Sequence, residues 1–264
     1  MNAAPPIAAS PEQSAAGTPQ PTAAAGANPA TPSKAIARDP LAYIRQVAEN
    51  TRRLAQYTVT FTRSERRGLL RQLQGPERIA AWFRRSPFSV RLKWLDENIK
   101  YGESVYVAGV AGNKVRFIPR AGFLGLPPAV TLVDLQTPVT WGESRYPLTT
   151  FGLERLMERT LETLDRAGPE AIVTYHGVVP LPDDGRAAHH LHLAYPQDRF
   201  PECFVDLYVD ARNDLPAASV LRRADGRLEA AYNYNALDAN VTLKDDDFVL
   251  DAERRTPATL TAGN

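Results

Sequence analysis

An α+β fold follows from three features of the sequence. About ten short runs alternate apolar and polar residues, turn signals separate them, and two amphipathic helical segments accompany them, one ahead of the runs and one in their midst. Strands with a single apolar face need that face covered, and the helices are the available cover. The expected architecture is a strongly curved antiparallel sheet wrapped around an N-terminal helix and one inserted helix.

Composition narrows the classes. The 264 residues suffice for one large domain, and 44% hydrophobic with 23% charged residues is ordinary globular usage. With 31 Lys+Arg against 30 Asp+Glu, the chain lacks the basic excess of a general nucleic-acid binder. No apolar run reaches the roughly 18 residues of a membrane-spanning helix. The single cysteine, Cys203, excludes an internal disulfide and a paired-cysteine zinc or redox site.

Residues 1–38 differ from the rest. The first 40 residues hold 13 alanines and 8 prolines, too little apolar bulk to offset the entropy of ordering, so 1–38 is expected to be a disordered tether. The stretch does not read as a signal peptide: it has no basic start, and Pro5 and Pro6 interrupt the place of an apolar core. That leaves a cytoplasmic protein, a mature exported form or a misplaced start open.

A single domain is expected over 39–252. Asp39-Pro40 is a cap followed by proline at the first helical position, and Leu41, Ile44, Val47, Ala48, Thr51 and Leu54 share one face of a helix over 40–55. The period then changes from 3.6 to 2. Tyr57, Val59 and Phe61 alternate with threonines, and Phe88, Val90, Leu92 and Trp94 with Ser89, Arg91 and Lys93. Further alternation marks 78–85, 103–110, 114–119, 171–179, 188–195, 203–211, 217–223 and 227–235. Turns such as Gly112-Asn113 and Asp225-Gly226 divide the runs. The inserted helix, about 150–167, carries Leu153, Met157 and Leu161 on its apolar stripe, with Thr149 or Thr150 as cap and Gly168-Pro169 as its end. Residues 253–264 are expected to form a flexible tail.

Catalytic chemistry is not visible. His190 and His192 lie two apart on a strand, a spacing that can hold a metal, yet Leu191, Leu193 and Tyr195 form the inward set and turn them to solvent. His176 shares a face with Ile172, Thr174 and Val178 and is expected in the core. Cys203 opens the inward set Cys203, Val205, Leu207, Val209 and reads as a small buried hydrophobe. Asp245-Asp246-Asp247 lacks the alternating ligands and glycine of a calcium loop and reads as a solvated strand end. Neither a phosphate-binding glycine pattern nor a nucleophile elbow occurs. No cofactor and no metal site is expected, and the protein is read as non-enzymatic.

Three features suit a binding protein. Residues 121–130 form an apolar, glycine- and proline-rich connection in which Phe123, Leu124 and Leu126 either tuck over the sheet or meet a partner. From Arg52 to Lys93 there are 11 basic residues against Glu65 and Glu77 alone, while 245–253 is acidic. Such a basic edge suits anionic headgroups or an acidic partner. Finally, Arg63 and Glu65 continue the inward face of Tyr57, Val59 and Phe61, and a buried guanidinium needs oxygen partners.

The segments Phe61–Arg66, Arg85–Trp94, Glu103–Gly109, Ser144–Arg155, Tyr208–Asp210 with Leu215-Pro216, and Tyr232–Tyr234 leading to Asn240–Leu243 and Asp247-Phe248 occur in the order of a bacterial family. The chain resembles domain of unknown function 1571 over about 57–248. It departs at Tyr146, where histidine is expected after the arginine, which weakens any role resting on an imidazole there. The resemblance implies a periplasmic or envelope-associated protein with the lipoprotein-carrier (Lol-type) fold, a half-open barrel plugged by helices. In such carriers acyl chains occupy the space between sheet and helices, and an inward arginine latches the lid, which makes Arg63 with Glu65 the candidate latch.

The resulting expectation is a lipid, acyl chain or other apolar ligand held by a wall of Tyr57, Val59, Phe61, Phe88, Val90, Leu92, Trp94, Leu153, Met157 and Leu161. The alternative is a fully packed interaction module, meeting an envelope protein or membrane surface through its basic edge and the 121–130 loop. A metal-dependent hydrolase is third. A filled core and a hollow one demand the same inward hydrophobes.

Overall fold

Eleven strands form one antiparallel sheet, seen in a computed structural model that describes residues 32–122, 126–140 and 143–255. Two helices, α1 (Ser33–Arg38) and α2 (Pro40–Arg52), precede it. The first six strands are β1 (Gln56–Arg67), β2 (Gln72–Arg84), β3 (Ser89–Trp94), β4 (Tyr101–Val107), β5 (Val115–Pro119) and β6 (Thr131–Val133). A short helix α3 (Thr137–Thr140) and the long α4 (Leu153–Ala167) lead to β7 (Ile172–Pro180), β8 (Ala187–Ala194), β9 (Phe204–Asp210), β10 (Pro216–Arg222) and β11 (Leu228–Asp238). Helix α5 (Asp251–Arg255) follows.

The strand order is β6-β5-β4-β3-β2-β1-β11-β10-β9-β8-β7, and the sheet does not close. The chain lays six strands out to one edge, crosses through α3 and α4 to the other, and returns until β11 pairs with β1. Phe61 thereby lies between Ile79 of β2 and Tyr234 of β11. The expected antiparallel sheet with helices on its inner face is what the chain forms, with eleven strands rather than ten. The extra one, β6, is a three-residue edge strand beyond Pro127-Pro128, too short to show a period.

Local chemistry sets the helix ends. Asp39 accepts a hydrogen bond from the Ala42 amide at 2.8 Å and Pro40 opens α2, as the sequence predicts. At α4 the expected threonine cap is replaced. Gly152 is the capping residue, at φ +124°, and the Tyr57 hydroxyl accepts from the Leu153 amide at 3.0 Å. A side chain at 152 would suit neither that backbone angle nor the space, since its Cβ would lie 3.2 Å from the Phe83 ring.

Two apolar clusters divide the inner face. Helices α1, α2 and α4 pack Ile36, Tyr43, Ile44, Val47, Met157 and Leu164 onto Leu191, Leu193, Leu207 and Val209 of β8 and β9. The central cluster joins Tyr57, Val59, Phe61, Ile79, Phe83, Val90, Leu92, Trp94 and Leu153. On the outer face, Phe248 and Leu250 cover Val105, with Trp82, Val107 and Ile118 around them.

Four expectations are corrected. The ordered chain begins before residue 39, because Ser33–Arg38 forms a helix that buries Ile36 completely; residues 1–31 lie outside the described residues. His176 is exposed, because β7 turns Val173 and Tyr175 inward instead. The acidic run is solvated at Asp245 and Asp246, as expected, but it is not a strand end. It forms a 3-10 turn, and Arg84 pairs with Asp245 at 2.8 Å, Arg91 and Lys93 with Asp251 at 2.6 Å, and Arg116 with Glu253 at 2.7 Å. Residues 253–255 accordingly belong to α5 rather than to a free tail, and much of the basic run is matched by the chain's own acids.

Candidate functional site

A cavity of about 630 Å³ lies over the inner face of β3–β5. Leu92 and Trp94 from β3, Tyr101 and Ser104 from β4, and Val115 and Phe117 from β5 form its floor. Val133 closes one side, and Thr137, Pro138, Ser144, Tyr146 and Leu148 form a cover between α3 and α4. Aromatic packing stiffens the floor: the rings of Trp94 and Tyr101 lie 5.2 Å apart, and those of Tyr101 and Phe117 6.1 Å apart. At the rim, Lys100 reaches Glu143 of the cover at 2.7 Å, and Arg120 donates to the Trp94 carbonyl at 2.8 Å. The volume falls in the range of small-molecule sites, and the walls offer chiefly apolar contact.

One buried charge reaches this space. The period-two face of β1 runs from Tyr57, Val59 and Phe61 into Arg63, Glu65 and Arg67, all buried. Arg63 Nε donates to Glu77 Oε2 at 2.8 Å, Arg67 binds the other Glu77 oxygen, and Trp94 Nε1 adds a bond to Glu77 at 3.2 Å. Tyr232 donates to Glu65 at 2.6 Å, and the Arg63 guanidinium lies 3.6 Å from Glu65. Two guanidiniums therefore face two carboxylates, a balance that burial requires. Burial by itself would raise the Glu77 pKa, but Arg63 and Arg67 outweigh it and hold the carboxyl below the usual range. Local backbone makes the arrangement possible. The β1–β2 register shifts between Arg63 and Glu65, and Gly75 lies there at φ +105°, where a Cβ would come within 2.5 Å of the Arg63 carbonyl.

The expected wall is thus divided. Leu92 and Trp94 border the cavity. Tyr57, Val59, Phe61, Val90 and Leu153 pack together in the central cluster with Phe88 against it, and Met157 and Leu161 belong to the helix-covered cluster. Helix α4 fills the space expected to hold a ligand, and the open volume lies one wing over. Arg63 is inward and borders the cavity, as the alternation predicts. Its main partner is Glu77 on the neighbouring strand, and the contact with the cover is made by Arg67, which donates to the Glu143 carbonyl at 2.6 Å. Glu77 escaped sequence reading because cross-strand pairing depends on a register that the β1 bulge shifts. Leu126 is 69% exposed rather than tucked, while Phe123 and Leu124 lie outside the described residues.

His176, His190 and His192 sit elsewhere, on the outer face. His189 is buried on the inner side, its Nδ1 2.8 Å from the Tyr175 hydroxyl and its ring 5.5 Å from that of Tyr43. His190 Nε2 and His192 Nδ1 both lie 2.9 Å from Asp206 Oδ1, and the His176 ring is 4.9 Å from that of His190. Asp206 comes from β9, so its acid was not apparent from spacing within one strand. Among the described residues no group of three or more such side chains is placed to hold a metal ion. Cys203 is buried, and burial raises its pKa.

A family model described as Protein of unknown function (DUF1571) matches residues 54–255, and the chain belongs to that family. No curated protein matches. Among solved structures, MucB in its Pseudomonas aeruginosa complex with MucA is similar at 18% identity and TM-score 0.45, covering 80% of this chain and 61% of that one. The Mycobacterium tuberculosis lipoprotein LppX is similar at 12% identity and TM-score 0.44, covering 78% and 100%. A LolA superfamily protein from Nitrosomonas europaea is similar at 10% identity and TM-score 0.34, covering 80% and 97%. The chain spans under two thirds of the length of the MucB chains it matches.

Proposed function

We propose that this family member binds an acyl chain or comparable apolar ligand in the cavity over β3–β5, as a non-enzymatic protein of the bacterial envelope. The observation that carries this reading is the cavity itself: about 630 Å³ floored by Leu92, Trp94, Tyr101, Val115 and Phe117, beside two packed apolar clusters on the same face of the sheet. Each methylene moved from water into such walls contributes about 0.8 kcal/mol, so part of one acyl chain supplies useful affinity. The polar groups at the rim, Lys100, Arg120 and Glu143, suit a ligand whose far end stays in water. The envelope assignment rests on the family resemblance and on the abundance there of acyl-bearing lipids.

Titration with a fluorescent fatty acid tests the reading. Ser104 is small, buried and on the cavity floor. Ser104→Phe should abolish saturable probe binding while leaving the melting temperature unchanged or raised, because it fills space. In a closed core the same change would cost about 1–3 kcal/mol by overpacking. Wild-type protein without saturable binding, or a Ser104→Phe variant of unchanged affinity, would exclude the cavity as the site and favour the packed interaction module.

A further inference from the structure

The β1–β2 hairpin ends in a turn, Gly68-Leu69-Leu70-Arg71, whose two leucines are 99% and 77% exposed. Large apolar side chains side by side at a protruding tip call for something to receive them. The turn is backbone-defined: the Arg71 amide donates to the Gly68 carbonyl at 3.1 Å, and both residues have positive φ. Leu73, on the β2 side, is also exposed.

Around this tip the charge is positive. Arg66 Nε donates to the Leu228 carbonyl at 2.7 Å, which places the β10–β11 turn beside the β1–β2 turn. The two turns carry Arg66, Arg71, Arg222, Arg223 and Arg227 against Asp225 and the buried Glu229. Glu229 is shared by Arg71 at 2.7 Å, Arg223 at 3.5 Å and Arg227 at 3.9 Å. Among the described residues Arg66 meets only backbone carbonyls, those of Leu228 and Arg71. The acidic segment that matches Arg84, Arg91, Lys93 and Arg116 makes its pairs farther along the sheet. Behind the tip lies a recess of about 290 Å³ lined by Arg66, Arg67, Arg71 and Arg145, with Glu202 as its one carboxylate.

We infer that this end of the sheet docks on an anionic lipid bilayer, with Leu69 and Leu70 entering the acyl boundary and the surrounding arginines meeting headgroup phosphates. A bilayer fits better than a protein partner on two counts. A specific protein interface needs about 800 Å² per partner, which two leucines on a convex turn do not supply, whereas a fluid monolayer closes around any protruding shape. Guanidiniums also bind phosphate oxygens through paired hydrogen bonds, and each basic residue near an anionic leaflet adds attraction. The inference is independent of what the cavity holds. No described helix is long and apolar enough to cross a membrane.

The test is co-sedimentation of the full chain with vesicles of phosphatidylcholine alone and of equimolar phosphatidylcholine and phosphatidylglycerol. Binding is expected to the anionic vesicles only, and to fall steeply as salt rises to about 0.5 M. Because Leu69 and Leu70 are solvent-exposed, Leu69→Ser with Leu70→Ser leaves the fold intact and should lower partitioning by about tenfold or more. Arg66→Gln should weaken binding and flatten its salt dependence. Equal binding to both vesicle types, no binding to either, or wild-type binding by the leucine variant would overturn the inference. Concentration-dependent self-association lost in the leucine variant, without vesicle binding, would assign the tip to a second copy of the chain instead.

Discussion

The two wings of the sheet are built from the same kind of strand and end differently. On the β7–β9 wing, α1, α2 and α4 press a continuous apolar layer onto Leu191, Leu193, Leu207 and Val209. On the β3–β6 wing none of the long helices among the described residues arrives. The cover there is α3 and the irregular 143–148 segment, and about 630 Å³ stays open beneath it. Helices fill because their side chains interlock with a sheet along several turns, while a short segment spans the mouth without reaching the floor. The fold thus holds a stable half and an accommodating half, with the Arg63–Glu77–Arg67 group on the border between them.

The largest effect is expected at that border. Glu77→Gln leaves two buried guanidiniums facing Glu65 alone and should cost about 3–5 kcal/mol in denaturant unfolding. The acid dependence follows in sign. The folded-state pKa of Glu77 lies below the ordinary 4.5, so its contribution is complete above that value and is lost as pH falls through the lowered pKa. A Glu77→Gln variant should therefore show a flatter loss of stability on acidification. An unchanged profile would mean that the pair is not a structural post.

The wings themselves are compared by truncation. Leu191→Ala, in the filled wing, should cost about 2–5 kcal/mol, whereas Phe117→Ala, which borders open space, should cost under about 1.5 kcal/mol. Equal losses would mean that the cavity wing is as tightly packed as the other.

A smaller effect tests where the filled wing begins. A chain starting at Asp39 loses Ile36 from the core and should be about 1.5–3 kcal/mol less stable. One starting at Pro32 should match the full chain within about 0.5 kcal/mol. If both truncations are neutral, α1 is an accessory to the filled wing and not part of it.

What the sequence determined by itself is the set of faces. Period-two alternation assigned Tyr57, Val59, Phe61, Leu92 and Trp94 to the inner side and carried Arg63 and Glu65 with them. The 3.6-residue stripe did the same for Met157, and Asp39-Pro40 marked the start of α2. These are local properties, written within one element. What only the tertiary structure decided is what each inward residue meets. Whether Leu92 borders space while Val90 is packed depends on where α4 and the cover come to lie. The pairing of Arg63 with Glu77 depends on a bulge, and the pairing of Arg91 with Asp251 on a segment 160 residues away. The exposure of Leu69 and Leu70 depends on none of the described segments arriving to cover their turn. Periodicity encodes direction, whereas volume and charge compensation are sums over distant parts of the chain, and those sums exist only once the chain has folded.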